Sequence, residues 1–352
     1  MKIRVDKKKW YFAVINLVLV VLVLICAVIF GIIFKKLDSV HAAERWRGNN
    51  PMRFAQIGCY LPVDDPKSED EILQFRRTLE QKLTDASLII ENDTVLYTDA
   101  YCGQGKLTVS GDHGIAEVHA IGVGGNFFLF HPLELCSGSY ISGDDLMQDR
   151  VVLDEALAWR LFGGSNVAGM TVYINGTPFY VAGVIRRESD FASREAFGVE
   201  PGMFLSYSAF HSLTGEEITC YEIVMPDMIS GFAAGIVKEN FDMDTGDLVE
   251  NSSRYSLDSL FAVIGQFGRR SMRHNGVIYP YWENAVRMKE DYLALLVVLM
   301  LVLGIVPAVS AVILAVRICR RGYHSTVGKV SDKWIAVRER KREIEYAKIG
   351  EK

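Results

Sequence analysis

Two uninterrupted apolar runs, each long enough to cross a bilayer, constrain this 352-residue chain before anything else does. The first, YFAVINLVLVVLVLICAVIFGIIF, covers Tyr11 to Phe34 with Asn16 as its one strongly polar side chain. A hydrocarbon core takes about 20 helical residues at 1.5 Å rise each. A cleaved signal sequence would carry a shorter apolar stretch of about 7–15 residues before a small-residue site. Here the run is longer, and only Val40 to Ala42 looks like such a site, so it reads as a retained span. The second run, YLALLVVLMLVLGIVPAVSAVILAV, covers Tyr292 to Val316 and contains Pro307, which a spanning helix tolerates. Tyr279, Tyr281 and Trp282 precede it and fit an aromatic belt at the membrane interface.

Charge orients the two spans. Met1 to Trp10 carries five Lys/Arg against one Asp, +4, and Arg317 to Lys352 carries eleven against five acids, +6. The net charge of -5 leaves -15 for the region between them. Lys/Arg clusters favour the cytoplasmic side, so both termini are expected inside and the acidic middle outside. Lys35 and Lys36, on the outer side, run against this rule but are outnumbered. The expected organisation is a cytoplasmic N-terminus (1–10), a first transmembrane helix (11–34), an extracytoplasmic domain (37–290), a second transmembrane helix (292–316) and a basic cytoplasmic tail (317–352).

The outer region reads as mixed α and β. FAQIGCYLP (54–62), AEVHAIGV (from Ala116), MFLSY (from Met203) and YEIVM (from Tyr221) alternate as strands do. Ser68 and Glu71 form a capping box before a helix whose Ile72, Phe75, Leu79 and Leu83 share one face. Pro226 to Phe241 is expected to be helical, with proline in its first turn. Asp242 to Ser253 is expected to be a loop, and Tyr255 to Phe267 a helix. Recurrence of strand then helix at both ends of the region points to two α/β lobes. The fold class is therefore α+β, a membrane protein with two transmembrane helices flanking a mixed α/β outer domain.

The stretch from Arg150 to Ile185 is the most sharply punctuated. Val151 to Leu153 is a short strand. Asp154 caps the following helix, where Leu157 and Leu161 share a face and Trp159 and Phe162 pack at its sides. Gly163 and Gly164 stop that helix, since glycine accepts the left-handed conformation beyond a helix end. Asn175-Gly176 between alternating runs marks a two-residue hairpin, whose turn requires positive φ at both positions. These residues specify shape and carry no chemistry.

Motifs for catalysis are missing from the text. No GxxxxGK[ST] phosphate loop occurs, and CGQGKLT at Cys102 lacks its first glycine. No GxSxG elbow and no HExxH pair occur. His113 and His119 stand six apart, a spacing without zinc logic. No catalytic residue, cofactor or metal is expected, and any ATP chemistry must come from another chain. The basic tail fits a membrane-side cluster better than a nucleic-acid site. Four of the six cysteines, Cys59, Cys102, Cys136 and Cys220, lie in the outer region, where three disulfide pairings or free thiols are all open.

PLELCSGSYISGDDLMQDRVVLDEALAWRLFGGSNVAGMTVYINGTPFYVAGVI, residues 132–185, resembles the extracytoplasmic core domain of MacB/FtsX-type ABC transporter permeases. The resemblance rests on the apolar PLEL, Gly138 before an aromatic, the acidic pair Asp144-Asp145, the capped helix, Gly169, the ING turn and VAGVI. It implies a membrane subunit driven by a separate cytoplasmic ABC ATPase, for export or transmission of force, with a membrane permease partner or a second copy of the chain. A typical member has three spans after the outer domain, and this chain shows one. The tail VRERKREIEYAKIGEK is similar to the cytoplasmic segment that follows the second span in the family, which makes Arg338, Glu339, Arg340, Arg342, Glu343 and Ile344 the candidate contacts for the ATPase. The other reading of the chain is a membrane-anchored accessory or sensor module without ATPase contact.

Overall fold

The computed structural model describes residues 7–86, 96–143, 145–243, 245–267, 270 and 276–350, with no side-chain description for Lys9, 321–332 and 341–350. The chain opens with α1 (Lys7–Lys35), a short turn of 3-10 helix (Asp38–Val40), α2 (Ala42–Arg47), β1 (Phe54–Tyr60) and α3 (Glu69–Asp85). Next come β2 (Thr98–Gly111), β3 (Gly114–Gly125), α4 (Phe127–Phe130), β4 (Glu134–Gly138), β5 (Arg150–Asp154), α5 (Glu155–Phe162), β6 (Thr171–Ile174) and β7 (Thr177–Arg186). The remainder is α6 (Phe191–Phe197), β8 (Gly202–Ser206), α7 (Tyr207–Thr214), β9 (Cys220–Pro226), α8 (Phe232–Asn240), β10 (Asp247–Glu250), α9 (Leu257–Ile264) and α10 (Tyr281–Gly350). These elements divide into two compact units, Met1–Gly31 with Leu296–Lys352, and Ile32–Leu295.

The first unit holds the apolar runs. Its helices leave Leu17, Leu24, Val28, Val302, Ile305 and Val309 exposed, a surface that hydrocarbon solvates and water does not. Asn16 donates its Nδ2 to the Phe12 carbonyl at 2.8 Å, which satisfies that donor within the helix, as is needed where water is absent.

The second unit is built on one ten-stranded sheet in the order β10-β1-β9-β2-β3-β8-β5-β7-β4, with β6 pairing β2 and β7. The two lobes are thus halves of a single sheet, joined where β2 pairs β3 along Ala100–Gly111 and β3 runs parallel to β8. Side chains alternate between its faces with period two. On β1, Ala55, Ile57 and Cys59 belong to one core, and Phe54 and Tyr60 to the other. Over the first face pack α3, α5, α7 and α8, bringing Leu79, Leu161, Phe210 and Val237. The capping box at Ser68 and Glu71 starts α3, and Ile72, Phe75, Leu79 and Leu83 are its buried stripe, each contributing about 1.5–3 kcal/mol by leaving water. The second face is covered by α2, α4 and the first turn of α10, through Ala42, Phe127, Phe130, Tyr281 and Trp282.

Several expectations need correction. Tyr279, Tyr281 and Trp282 are buried in the second-face core, so they are sheet cover and not an interfacial belt. Pro226 ends β9 opposite Phe54, a strand end where its missing N–H is harmless, and α8 begins only at Phe232 behind Gly231 in the left-handed region. Within Asp242 to Ser253, Asp247–Glu250 is strand β10, which owes its form to pairing with β1 rather than to its own pattern. Trp159 is exposed, because two residues past Leu157 an α-helix has turned about 200° away from the core. All six cysteines are free thiols, with Cys102 directly opposite Cys220 across β2 and β9.

Candidate functional site

Residues singled out for shape hold the second lobe together. Asp154 caps α5 by accepting from Leu157 N at 2.6 Å. Its other carboxylate oxygen accepts from Gly202 N at 2.5 Å and meets the Arg187 guanidinium, so one fully buried side chain ties β5, α5, β8 and the end of β7. Gly163 terminates α5 with φ 78°, whereas Gly164 has a free side and no positive φ. Asn175 and Gly176 take φ of 51° and 81° between β6 and β7, the turn their sequence demands. Gly138, φ 71°, closes β4 on β7 so tightly that a Cβ would lie 2.1 Å from the Ala182 carbonyl oxygen. Gly169 also has positive φ, and Asp144 lies outside the described residues.

Of the tail residues, Arg338, Glu339 and Arg340 sit on α10 and are exposed. Arg342, Glu343 and Ile344 share that helix, but their side chains lie outside the described residues. The helical path puts Glu339 and Glu343 one turn apart.

A second cluster, missed in the sequence, lies at the root of α10 inside the outer unit. The segment Glu283–Asp291 reads as a charged stretch before a span, yet Glu283, Arg287, Lys289, Glu290 and Asp291 are all buried. Glu283, Arg287 and Glu290 recur at i, i+4 and i+7, on one helix face. Arg254, from the turn after β10, inserts between them. Its Nη1 and Nη2 each donate to one oxygen of Glu283 at 2.8 Å, Nη1 also donates to Asn251 Oδ1 at 2.9 Å, and its Nε reaches Glu290. Arg287 donates to Glu283 at 2.6 Å and lies 3.7 Å above the Tyr279 ring. Arg270 donates to Glu290, and the Tyr60 hydroxyl donates to Glu283 at 3.1 Å. Around the helix, Lys289 reaches Asp190 at 3.2 Å and Glu188 at 3.6 Å, next to α6.

Electrostatics here are self-consistent. Burial pushes the Glu283 carboxyl up, but Arg254 and Arg287 outweigh it and hold it down at about 2. Burial lowers the Arg254 guanidinium, and Glu283 and Glu290 more than reverse that. The Arg254 donors meet acceptors of fixed direction, because a guanidinium is a planar fork. Arg254, Glu283, Arg287 and Glu290 thus form one buried ion-pair cluster. It fixes where a helix sits and how it is rotated. The sequence held only the i, i+4, i+7 spacing of opposite charges, which a solvated helix face carries equally.

Next to this root, the second face buries further polar groups. Gln56 donates to the Ser39 carbonyl at 2.7 Å and accepts from Ala42 N at 2.9 Å, which docks the chain leaving α1 onto β1. Glu222, on β9, meets His131 Nε2 and receives Gln56 Nε2 at 3.5 Å. Both chain segments that border the apolar runs are therefore pinned to the same face of the sheet by buried polar contacts.

The model of the MacB-like periplasmic core domain matches residues 14–241. Over 140 residues, 39% of the chain, the sequence is 27% identical to the macrolide export ATP-binding/permease protein MacB of Aggregatibacter actinomycetemcomitans, and that match spans 21% of the relative. Among solved structures, the periplasmic region of MacB from Actinobacillus actinomycetemcomitans aligns at a TM-score of 0.42 and 15% identity, over 56% of this chain and 89% of that one. The extracellular domain of the noncanonic ABC-type transporter YknZ from Gram-positive bacteria aligns at 0.38 and 13%, over 56% and 100%. The match to the domain model over some two thirds of the chain, the two apolar helices and the strand–helix–hairpin unit at 150–186 lead to one conclusion: the chain belongs to the MacB-like periplasmic core domain family, as a membrane subunit of the MacB/FtsX type with an extracytoplasmic core domain.

Proposed function

We propose that this subunit couples a separate cytoplasmic ABC ATPase to movement of its outer domain, for export of a substrate or transmission of force across the membrane. The observation that carries the reading is α10, Tyr281–Gly350: its first turns are held by buried ion pairs and its far segment exposes Arg338, Glu339 and Arg340. The root of that helix cannot turn without breaking charge pairs. Both termini are cytoplasmic in this reading, which the +4, -15, +6 charge partition supports. The ATPase docks on Arg338 to Ile344, and a permease partner or second copy completes the membrane part.

Affinity purification from native membranes tests this, comparing the full chain, a chain ending at Ser331, and Arg340→Glu/Arg342→Glu. Recovery of an ABC ATPase should fall with both variants while the outer domain stays folded. Undiminished recovery with the truncated chain would retire the coupling role and leave the accessory-module reading in its place. If the tail serves only anionic lipid, charge reversal loosens bilayer contact and leaves the protein partner bound.

A further inference from the structure

The outer unit contains a cavity of about 470 Å³ that neither the ion-pair cluster nor the coupling tail uses. Phe34, His41, Arg47, Arg53, Phe54 and Tyr255 are among its walls. Phe34 belongs to the last turn of α1, so the cavity opens beside the residues where the first apolar run ends. The Phe34 ring meets Tyr255 edge-on at 5.2 Å and His41 at 5.3 Å, forming an apolar corner. Its floor is fixed by the Gln56 contacts to Ser39 and Ala42, and by Asn251 N donating to Gln56 O at 2.9 Å.

The cavity gathers cations within an acidic region. The outer region is acidic, yet two arginines line the cavity against one carboxylate, Glu44, which is mostly exposed and faces His41 at 3.4 Å. Arg53 is shared with the buried Asp227 at 3.2 Å. Arg47 has no ion-pair partner among the described residues, and it is exposed at the end of α2. Lys35 and Lys36, which violate the expected charge bias on the outer side, are exposed and follow Phe34 directly.

We infer that this cavity binds an anionic phosphate group: Arg47 supplies a guanidinium without an ion-pair partner, Arg53 supplies further donors, and the Phe34–Tyr255 corner takes the apolar part joined to it. A guanidinium meets phosphate oxygens with two parallel N–H donors, which suits Arg47. The phosphate can come from a lipid headgroup at the membrane surface or from free phosphate in solution.

Native mass spectrometry of the full chain, released from detergent micelles, separates these sources. The probes are phosphatidylglycerol, phosphatidylcholine and inorganic phosphate. The variants are Arg47→Glu, Arg47→Lys, and Arg77→Glu, which makes the same change of net charge on an exposed face of α3. Wild type and Arg77→Glu should retain one phosphatidylglycerol, Arg47→Glu should retain it about tenfold less, and Arg47→Lys should fall between. Loss of the lipid adduct to millimolar inorganic phosphate, with phosphate retained in its place, identifies free phosphate as the source and upholds the site. Equal retention by wild type and Arg47→Glu, or an equal loss in Arg77→Glu, overturns the proposal, since bulk charge then explains the binding. Thermal unfolding of each variant without ligand is run alongside, and Arg47→Glu is scored only against its own folded fraction.

Discussion

Arg254 grips Glu283 with both arms of its guanidinium, Nη1 and Nη2 each lying 2.8 Å from a different carboxylate oxygen, across 29 residues of chain. Both side chains are buried, and the pair joins the turn after β10 to the first turn of α10. Replacing one partner leaves the other charge buried without its counter-ion, which costs about 3–5 kcal/mol. Arg254→Met should therefore lower the stability of the outer domain by about that amount in denaturant unfolding. A change under about 1 kcal/mol would mean that Arg270 and Arg287 already satisfy both carboxylates.

The same pair sets an acid limit. In the unfolded chain a glutamate titrates near about 4.3, whereas Glu283 is held at about 2 in the folded one. The folded value is the lower, so the stability that Glu283 contributes is fully present above the unfolded value and is lost as pH falls through the window to the folded one. Thermal unfolding followed across that window should show a steep acid loss in wild type and a shallower one in Glu283→Gln. Parallel curves for the two proteins would contradict this assignment.

The hairpin at Asn175-Gly176 should be a device of shape alone. Gly176→Val forces a β-branched residue to the φ of 81° seen here, at a cost of about 1–3 kcal/mol. Folded yield should drop, with activity per folded molecule unchanged. A variant that folds normally and loses activity would place function in the turn.

Topology can be read with an impermeant thiol reagent in a background stripped of native cysteines. Asp242→Cys should be modified in intact cells, and Ser331→Cys only after the membrane is opened. The reverse pattern would invert both termini.

Local rules made much of this legible. Ser68 with Glu71, Asp154 before α5, and Asn175-Gly176 act over three or four residues, so a short stretch of text contains the whole cause. Strand β10 was not legible, because Leu248 is in a strand only by virtue of facing Cys59. Nor was the root of α10. Glu283, Arg287 and Glu290 look like a solvated face beside a span, and only the arrival of Arg254 and Arg270 from elsewhere makes them an interior. Tyr281 and Trp282 misled for the same reason: aromatic residues beside an apolar run suit an interface, but the second sheet face required cover. In the tail, Arg338 to Arg340 lie exposed on a helix.

A sheet whose ladder continues from Glu250 on β10 to Gly138 on β4 has no seam at which its halves could swing apart. Opening one would break a row of backbone hydrogen bonds that nothing nearby could replace. The two halves of the outer domain are therefore one block, closed to any hinge within the sheet.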